Sequence, residues 1–301
     1  MIYIMKKTSV FAIITVVVLA SFTLIYATKA TKNNSDLRRG TAQHFPAQVD
    51  FAGENAPLNI ADVKERFDRE LLVNANLHSS TILIIKRANR AFPIIEPILK
   101  QYGVPDDFKY LAVIESALIN AVSPSGAKGI WQFMPDTAKE KGMEVNEIVD
   151  QRYDLVKSTE AACKYLLTAK EKFGNWTLAA ASYNGGMTGV NTKITEQKVS
   201  NYYDLLLTDE TSRYVFRILA LKEIMKNASL YGFQLSNNEL YEIIPTKKIV
   251  VDTTITDLAT FAKNQGINYK ILKIHNPWLR DKKLTNLSKK RYEIEIPLSG
   301  Y

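Results

Sequence analysis

Tyr110-Leu-Ala-Val-Ile-Glu-Ser-Ala-Leu-Ile119 places one carboxylate in an otherwise apolar run. Leu111, Ile114 and Leu118 fall on one i, i+3, i+7 stripe, and Val113 and Ile119 widen it, so the run reads as a helix. From Phe108 to Ile119 the only charges are Lys109 and Glu115. A glutamate on a helix is ordinarily a solvated surface charge, but a helix apolar nearly all round is a buried one. Desolvation disfavours the ionised form, so a buried Glu115 would hold its proton at neutral pH. Perturbed carboxylates occur both at functional sites and in structural pairs, and the run alone leaves both open.

The neighbouring segments narrow the choice. Tyr102-Gly-Val-Pro-Asp-Asp-Phe-Lys-Tyr-Leu-Ala-Val-Ile-Glu-Ser116 leads into the carboxylate, and Ser123-Pro-Ser-Gly-Ala-Lys-Gly-Ile-Trp-Gln-Phe-Met-Pro135 follows it. Ala179-Ala-Ala-Ser-Tyr-Asn-Gly-Gly186 and Glu210-Thr-Ser-Arg-Tyr-Val215 come later. In this order and across residues 90–227, the four segments resemble the motifs of lytic murein transglycosylases of the membrane-bound D type. The resemblance implies a mainly α fold: a goose-lysozyme-like helical catalytic domain over residues 61–232.

It also implies roles. Glu115 would be the catalytic acid. Ser123 and Ser125 would offer hydroxyls to substrate, or simply cap the turn. Gln132 would bond an N-acetyl group, Met134 would line the groove, and Tyr183 and Asn184 would position the sugar. Glu210 would be structural and substrate-contacting. Gly126 and Gly129 would allow close backbone approach or make the turn. Trp131 and Phe133 read as core. The expected reaction cleaves peptidoglycan glycan strands and leaves 1,6-anhydromuramoyl ends. Ordinary glycosidases use two carboxylates, and the motif region offers one strongly placed acid. A water-using muramidase and a non-catalytic wall-binding scaffold stay open.

After about Gly232 the composition turns β-like. Ile243-Ile-Pro245, Lys248-Ile-Val-Val251 and Tyr292-Glu-Ile-Glu-Ile-Pro297 carry β-branched residues and alternation, with helical patterns at 257–264 and 269–274 between the last two. Strand, helix, helix, strand resembles a LysM module, a small α+β glycan binder, over residues 240–301. Val251-Asp-Thr-Thr254 stands where that family has a Gly-Asp-Thr turn. The segment's other reading is a structural cap. Lying beyond all four motifs, it is expected to be separable from catalysis.

At the other end, Lys6 and Lys7 precede an apolar run from Val10 to Ala27. Residues 1–30 read as a signal peptide or N-terminal membrane anchor. Export to the periplasm or cell envelope is expected. Residues 31–60 are polar without clear period and read as a linker. Pro93 is expected to break or start a helix, and Asp106 to cap the Glu115 helix. A helix over 156–173 should end at Gly174, and others should span 176–184 and 208–228.

The formal charge of +8 suits an anionic polymer or membrane surface. Nucleic acid is not expected: there is no zinc-ligand spacing, helix-turn-helix cue or compact basic-aromatic cluster. The single cysteine, Cys163, lies on an apolar helical face and reads as a buried thiol. His44, His78 and His275 are scattered outside the motifs. No metal and no cofactor are expected, and the chain is expected to be a monomer.

Overall fold

Burial of apolar stripes accounts for most of the architecture. The computed structural model describes residues 44–300. The signal or anchor reading of residues 1–30 lies outside them. Among the described residues no helix is long and apolar enough to cross a membrane.

The first described elements are the short strands β1 (Asp50–Phe51) and β2 (Glu54–Asn55), paired antiparallel as a hairpin. Helices α1 (Ala61–Asn76) and α2 (His78–Tyr102) follow. A 3-10 turn at Asp106–Phe108 leads into α3 (Lys109–Ser116). The two-residue strands β3 (Ala121–Val122) and β4 (Lys128–Gly129) pair antiparallel, and α4 (Pro135–Glu140) starts on its proline. Then come α5 (Leu155–Phe173), α6 (Trp176–Gly185), α7 (Met187–Gln197) and α8 (Asp209–Lys226). Gly174 closes α5 in the left-handed conformation, where a Cβ would be strained.

The main core joins these helices. Leu111 of α3, Ile95 and Leu99 of α2, Leu166 of α5, and Val215, Phe216 and Ile218 of α8 are all fully buried within it. The chain is mainly α, as the helical patterns predict.

Four local expectations need correction. The linker read over 31–60 does not hold for its second half. Phe51 is fully buried, its ring edge-on to Phe108 at 4.9 Å. Glu54 accepts from the backbone N–H groups of Trp176 and Thr177 at 2.7 and 2.8 Å, so the hairpin caps α6. Pro93 does not break a helix either. Pro93 and Pro97 both lie inside α2, because Ala88, Ala91, Ile95 and Leu99 bury one continuous stripe across them. Asp106 does not cap α3: its carboxylate pairs with Lys109 at 2.5 Å instead. Ile243-Ile-Pro245 forms no strand.

The C-terminal segment pairs β5 (Thr246–Val251) antiparallel with β6 (Tyr292–Pro297), from Thr246 opposite Pro297 to Val251 opposite Tyr292. Between them lie α9 (Leu258–Asn264), capped by Asp257, and α10 (Tyr269–His275), capped by Asn268. This is the expected strand, helix, helix, strand order. Asn276 is fully buried and fully used: it donates to Leu272 and Glu295 carbonyls and accepts the Glu295 N–H. Trp278 stacks on Tyr292 at 5.6 Å. The small core here also takes in Val149 and Tyr153, which precede α5. Residues from Phe45 onward pack as one unit.

Candidate active site

Helix α3 carries Glu115 in its last turn. Ala117 and Leu118, just beyond, both have positive φ, 51° and 58°. For residues with a Cβ that conformation costs about 1 kcal/mol each. Burial of Leu118 and bonds from outside the helix hold it. Arg217 donates to the Ile114 carbonyl at 3.1 Å and Arg87 to that of Ala117 at 3.2 Å, so two guanidinium groups satisfy the C-terminal carbonyls. Ser116 donates its hydroxyl to the Ile130 carbonyl at 2.8 Å and ties α3 to the segment after β4.

The Glu115 carboxyl is half-buried, and its pKa is pushed up to about 7. Burial is the largest cause. A hydrogen bond from the Tyr214 hydroxyl and the charge of Arg217 act against it, and the nearby charge of Glu210 adds to it. A carboxyl with a pKa near 7 can give up a proton and take one back at neutral pH.

Tyr183, on α6, donates its hydroxyl to the Trp131 carbonyl at 2.8 Å. Its ring meets Tyr165 and Phe133 edge-on at 5.1 and 5.8 Å. Glu115 lies close enough to help raise the Tyr183 pKa, although burial is the larger cause. Asn184 donates to Glu210 at 3.1 Å and accepts from the Thr211 hydroxyl at 2.7 Å. Four of the expected residues thus meet at one place: Glu115 with Tyr183 beside it, and Glu210 with Asn184.

The segment from Ser123 to Met134 forms a tight double turn. The Ser123 and Ser125 hydroxyls are 3.0 Å apart, and Ser123 accepts from the Ala127 N–H. Gln132 sits at φ 50° and donates its amide to the Ala121 and Gly129 carbonyls at 3.1 and 2.7 Å. Those donors are spent on the turn, and its amide oxygen is what it can offer outward. Met134 is 43% exposed and free to line a groove. Trp131 is fully buried and donates to Thr159 at 2.8 Å; Phe133 is buried too. Gly129 has a packing reason: a Cβ there would lie 1.8 Å from the Arg152 carbonyl oxygen.

Two functional features went unread in the sequence. Tyr214 is the hydroxyl partner of Glu115; it lies inside the fourth motif, and a tyrosine on an apolar helical face was the available signal. Arg152 is buried, forked onto Asp150 at 2.9 and 2.8 Å, and donates to the Gly126 and Phe133 carbonyls. Cys163 is fully buried, its thiol pushed up to about 12 by burial, which removes it as a nucleophile. His78 stacks on Phe233, away from the site. Among the described residues no cluster of His, Cys, Asp or Glu could hold a metal ion.

Comparison with known proteins gives two domain matches. Residues 92–206 match the transglycosylase SLT domain, and residues 247–300 match the soluble lytic transglycosylase C-terminal LysM-like domain. Membrane-bound lytic murein transglycosylase D of Escherichia coli (strain K12) is 29% identical over 235 residues, 75% of this chain and 50% of that protein. The protein of the same name from Escherichia coli O6:H1 gives the same figures. The chain spans about half the length of these curated relatives. With its SLT domain, its LysM-like C-terminal domain and this homology to the membrane-bound D type, the chain belongs to the lytic transglycosylase (SLT) family.

Proposed function

We propose that this chain cleaves the β-1,4 bond between N-acetylmuramic acid and N-acetylglucosamine in peptidoglycan and leaves a 1,6-anhydromuramoyl end. The observation that carries the reading is the Glu115 carboxyl with its pKa raised to about 7, bonded by Tyr214.

Glu115 protonates the glycosidic oxygen as the bond to C1 breaks. The substrate's 2-acetamido group stabilises the oxocarbenium-like centre. Ionised Glu115 then takes the proton of the muramoyl C6 hydroxyl as that oxygen attacks C1. One residue serves as acid and then as base, and no water is consumed. Tyr214, which bonds the ionised form, favours the first half of the cycle, in which Glu115 gives up its proton. Tyr183 and Asn184 border the site, and the Ser123–Met134 turn offers two hydroxyls, an amide oxygen and an exposed thioether. These groups suit N-acetylated sugars.

The partner is the glycan strand, the working form is a monomer, and the setting is the cell envelope. The LysM-like domain contacts glycan away from the scissile bond. Digestion of purified peptidoglycan followed by mass spectrometry tests the reading. Anhydromuramoyl ends are expected. Reducing ends would move the chain to the hydrolases, and no products would make it a binding scaffold.

A further inference from the structure

The segment 148–153 has two faces. On one, the Arg152 guanidinium is 3% exposed and forks onto Asp150, which neutralises it. Its remaining nitrogen, Nη1, donates to the Gly126 carbonyl at 3.2 Å and the Phe133 carbonyl at 3.1 Å. Those carbonyls lie at the two ends of the stretch that carries Gln132. The Arg152 carbonyl lies directly under Gly129, with no room for a Cβ between them. Lys128, from the same stretch, reaches Asp150 at 3.9 Å.

On the other face, the segment belongs to the C-terminal domain. Val149 and Tyr153 are buried in that domain's core beside Leu279 and Trp278. The Asp150 N–H bonds the Trp278 carbonyl at 2.9 Å, and the Arg280 N–H bonds the Ile148 carbonyl at 2.8 Å. The Arg280 guanidinium covers the Tyr153 ring at 4.2 Å. Lys290 and the Tyr292 hydroxyl both reach Glu144 at 3.0 Å.

We propose that Asp150 and Arg152 are positioning residues for the Ser123–Met134 turn, and that the docked C-terminal domain holds them in place. Docking of that domain then sets how well the turn is ordered for sugar binding, even on fragments too short to reach the domain itself. The physical reason is the fork. A guanidinium held flat by a carboxylate can aim the two N–H bonds of Nη1 at two carbonyls at once, and an ammonium cannot do both in plane. The catalytic part of this proposal rests on the proposed function; the ordering part does not.

Two variants of the full chain test it. Arg152→Lys keeps the charge and removes the fork. Glu144→Ala with Arg280→Ala loosens the docking from the surface and touches neither the turn nor Glu115. Hydrogen exchange read by mass spectrometry needs no substrate. Lys128 and Phe133 exchange their backbone hydrogen bonds with each other, so their amides report on the turn. Exchange there should speed up at least tenfold in both variants, while the β5–β6 amides keep their protection. On soluble glycan fragments KM should rise about five- to tenfold, with kcat within twofold and the pH profile unmoved. Unchanged exchange of the turn in either folded variant overturns the proposal. So does an equal fall in kcat at constant KM, the mark of a lost folded fraction. If wild-type protein cleaves no glycan, the proposed function fails and the exchange result still decides the ordering.

Discussion

Tyr214 donates its phenolic hydroxyl to the Glu115 carboxylate, across 99 residues of sequence. The bond favours the ionised carboxyl, while burial favours the protonated one, and burial wins. Removing the hydroxyl therefore removes the main opposing influence. A hydrogen bond to a charged group is worth about 1.5–3 kcal/mol, and about 1.4 kcal/mol corresponds to one pH unit. In Tyr214→Phe the Glu115 pKa should rise. The acid must be protonated to act, so activity falls as pH rises through that pKa. The alkaline limb of the rate profile should move to higher pH by about one unit or more. A limb that stays in place would separate Tyr214 from the acid.

Glu115→Gln should abolish cleavage and leave the fold intact, because the amide is nearly isosteric but cannot cycle a proton. Its stability makes a second, independent readout. A carboxyl with an ordinary pKa of 4.5 when unfolded and about 7 when folded binds its proton more tightly in the folded state. Stability is then lost as pH rises from about 4.5 through about 7. The amide carries no such penalty. Glu115→Gln should be more stable than wild type at pH 8, by at most about 3 kcal/mol, and the gap should close below pH 4.5. Urea unfolding at several pH values measures it. Equal stability across that range would mean that burial does not hold the Glu115 proton.

These residues differ in how openly the sequence displayed them. Glu115 was legible because its evidence is local: an apolar stripe on either side and a motif in register. Tyr183, Asn184 and Glu210 came through motifs, but that Asn184 and Glu210 bond one another was not readable, since nothing in either segment points to the other. Nothing in Asp150-Gln-Arg-Tyr153 marks Arg152 as buried. Its partners besides Asp150 are the Gly126 and Phe133 carbonyls, 26 and 19 residues away, to which nothing in the segment points. Phe51 stood with Phe45 in a stretch read as polar, and its pocket beside Phe108 is a tertiary fact. Pro93 was misread because propensity argued against a helix that packing on both sides enforces.

The shared core of the C-terminal domain changes what truncation should do. The composition break near Gly232 suggested a separable module. Val149 is 1% exposed and Tyr153 6% with the domain in place, and both lose cover without it. Full exposure of a large apolar side chain costs roughly 1.5–3 kcal/mol. A chain ending near residue 235 should therefore unfold at lower urea, by the equivalent of about 3 kcal/mol, beyond any loss of sacculus binding. An unchanged midpoint for the catalytic domain would restore the separable reading.

The remaining question about the reaction is the fate of water. If the muramoyl C6 hydroxyl is the nucleophile, cleavage in oxygen-18 water should leave the new muramoyl ends unlabelled and one water lighter than hydrolysed ends. The alternative has a definite residue behind it. Glu210 is exposed, lies close enough to Glu115 to raise its pKa, and could serve as the base that activates water. Against that role, one of its oxygens is already held by Asn184 at 3.1 Å, which suits a fixed structural carboxylate better than a base. Glu210→Gln separates the two. It removes a like charge, so the Glu115 pKa should fall and the alkaline limb should move to lower pH, while turnover at the optimum stays within about tenfold. A loss of several thousandfold, together with label in the wild-type products, would place the chain among hydrolases and keep Glu115 as the acid.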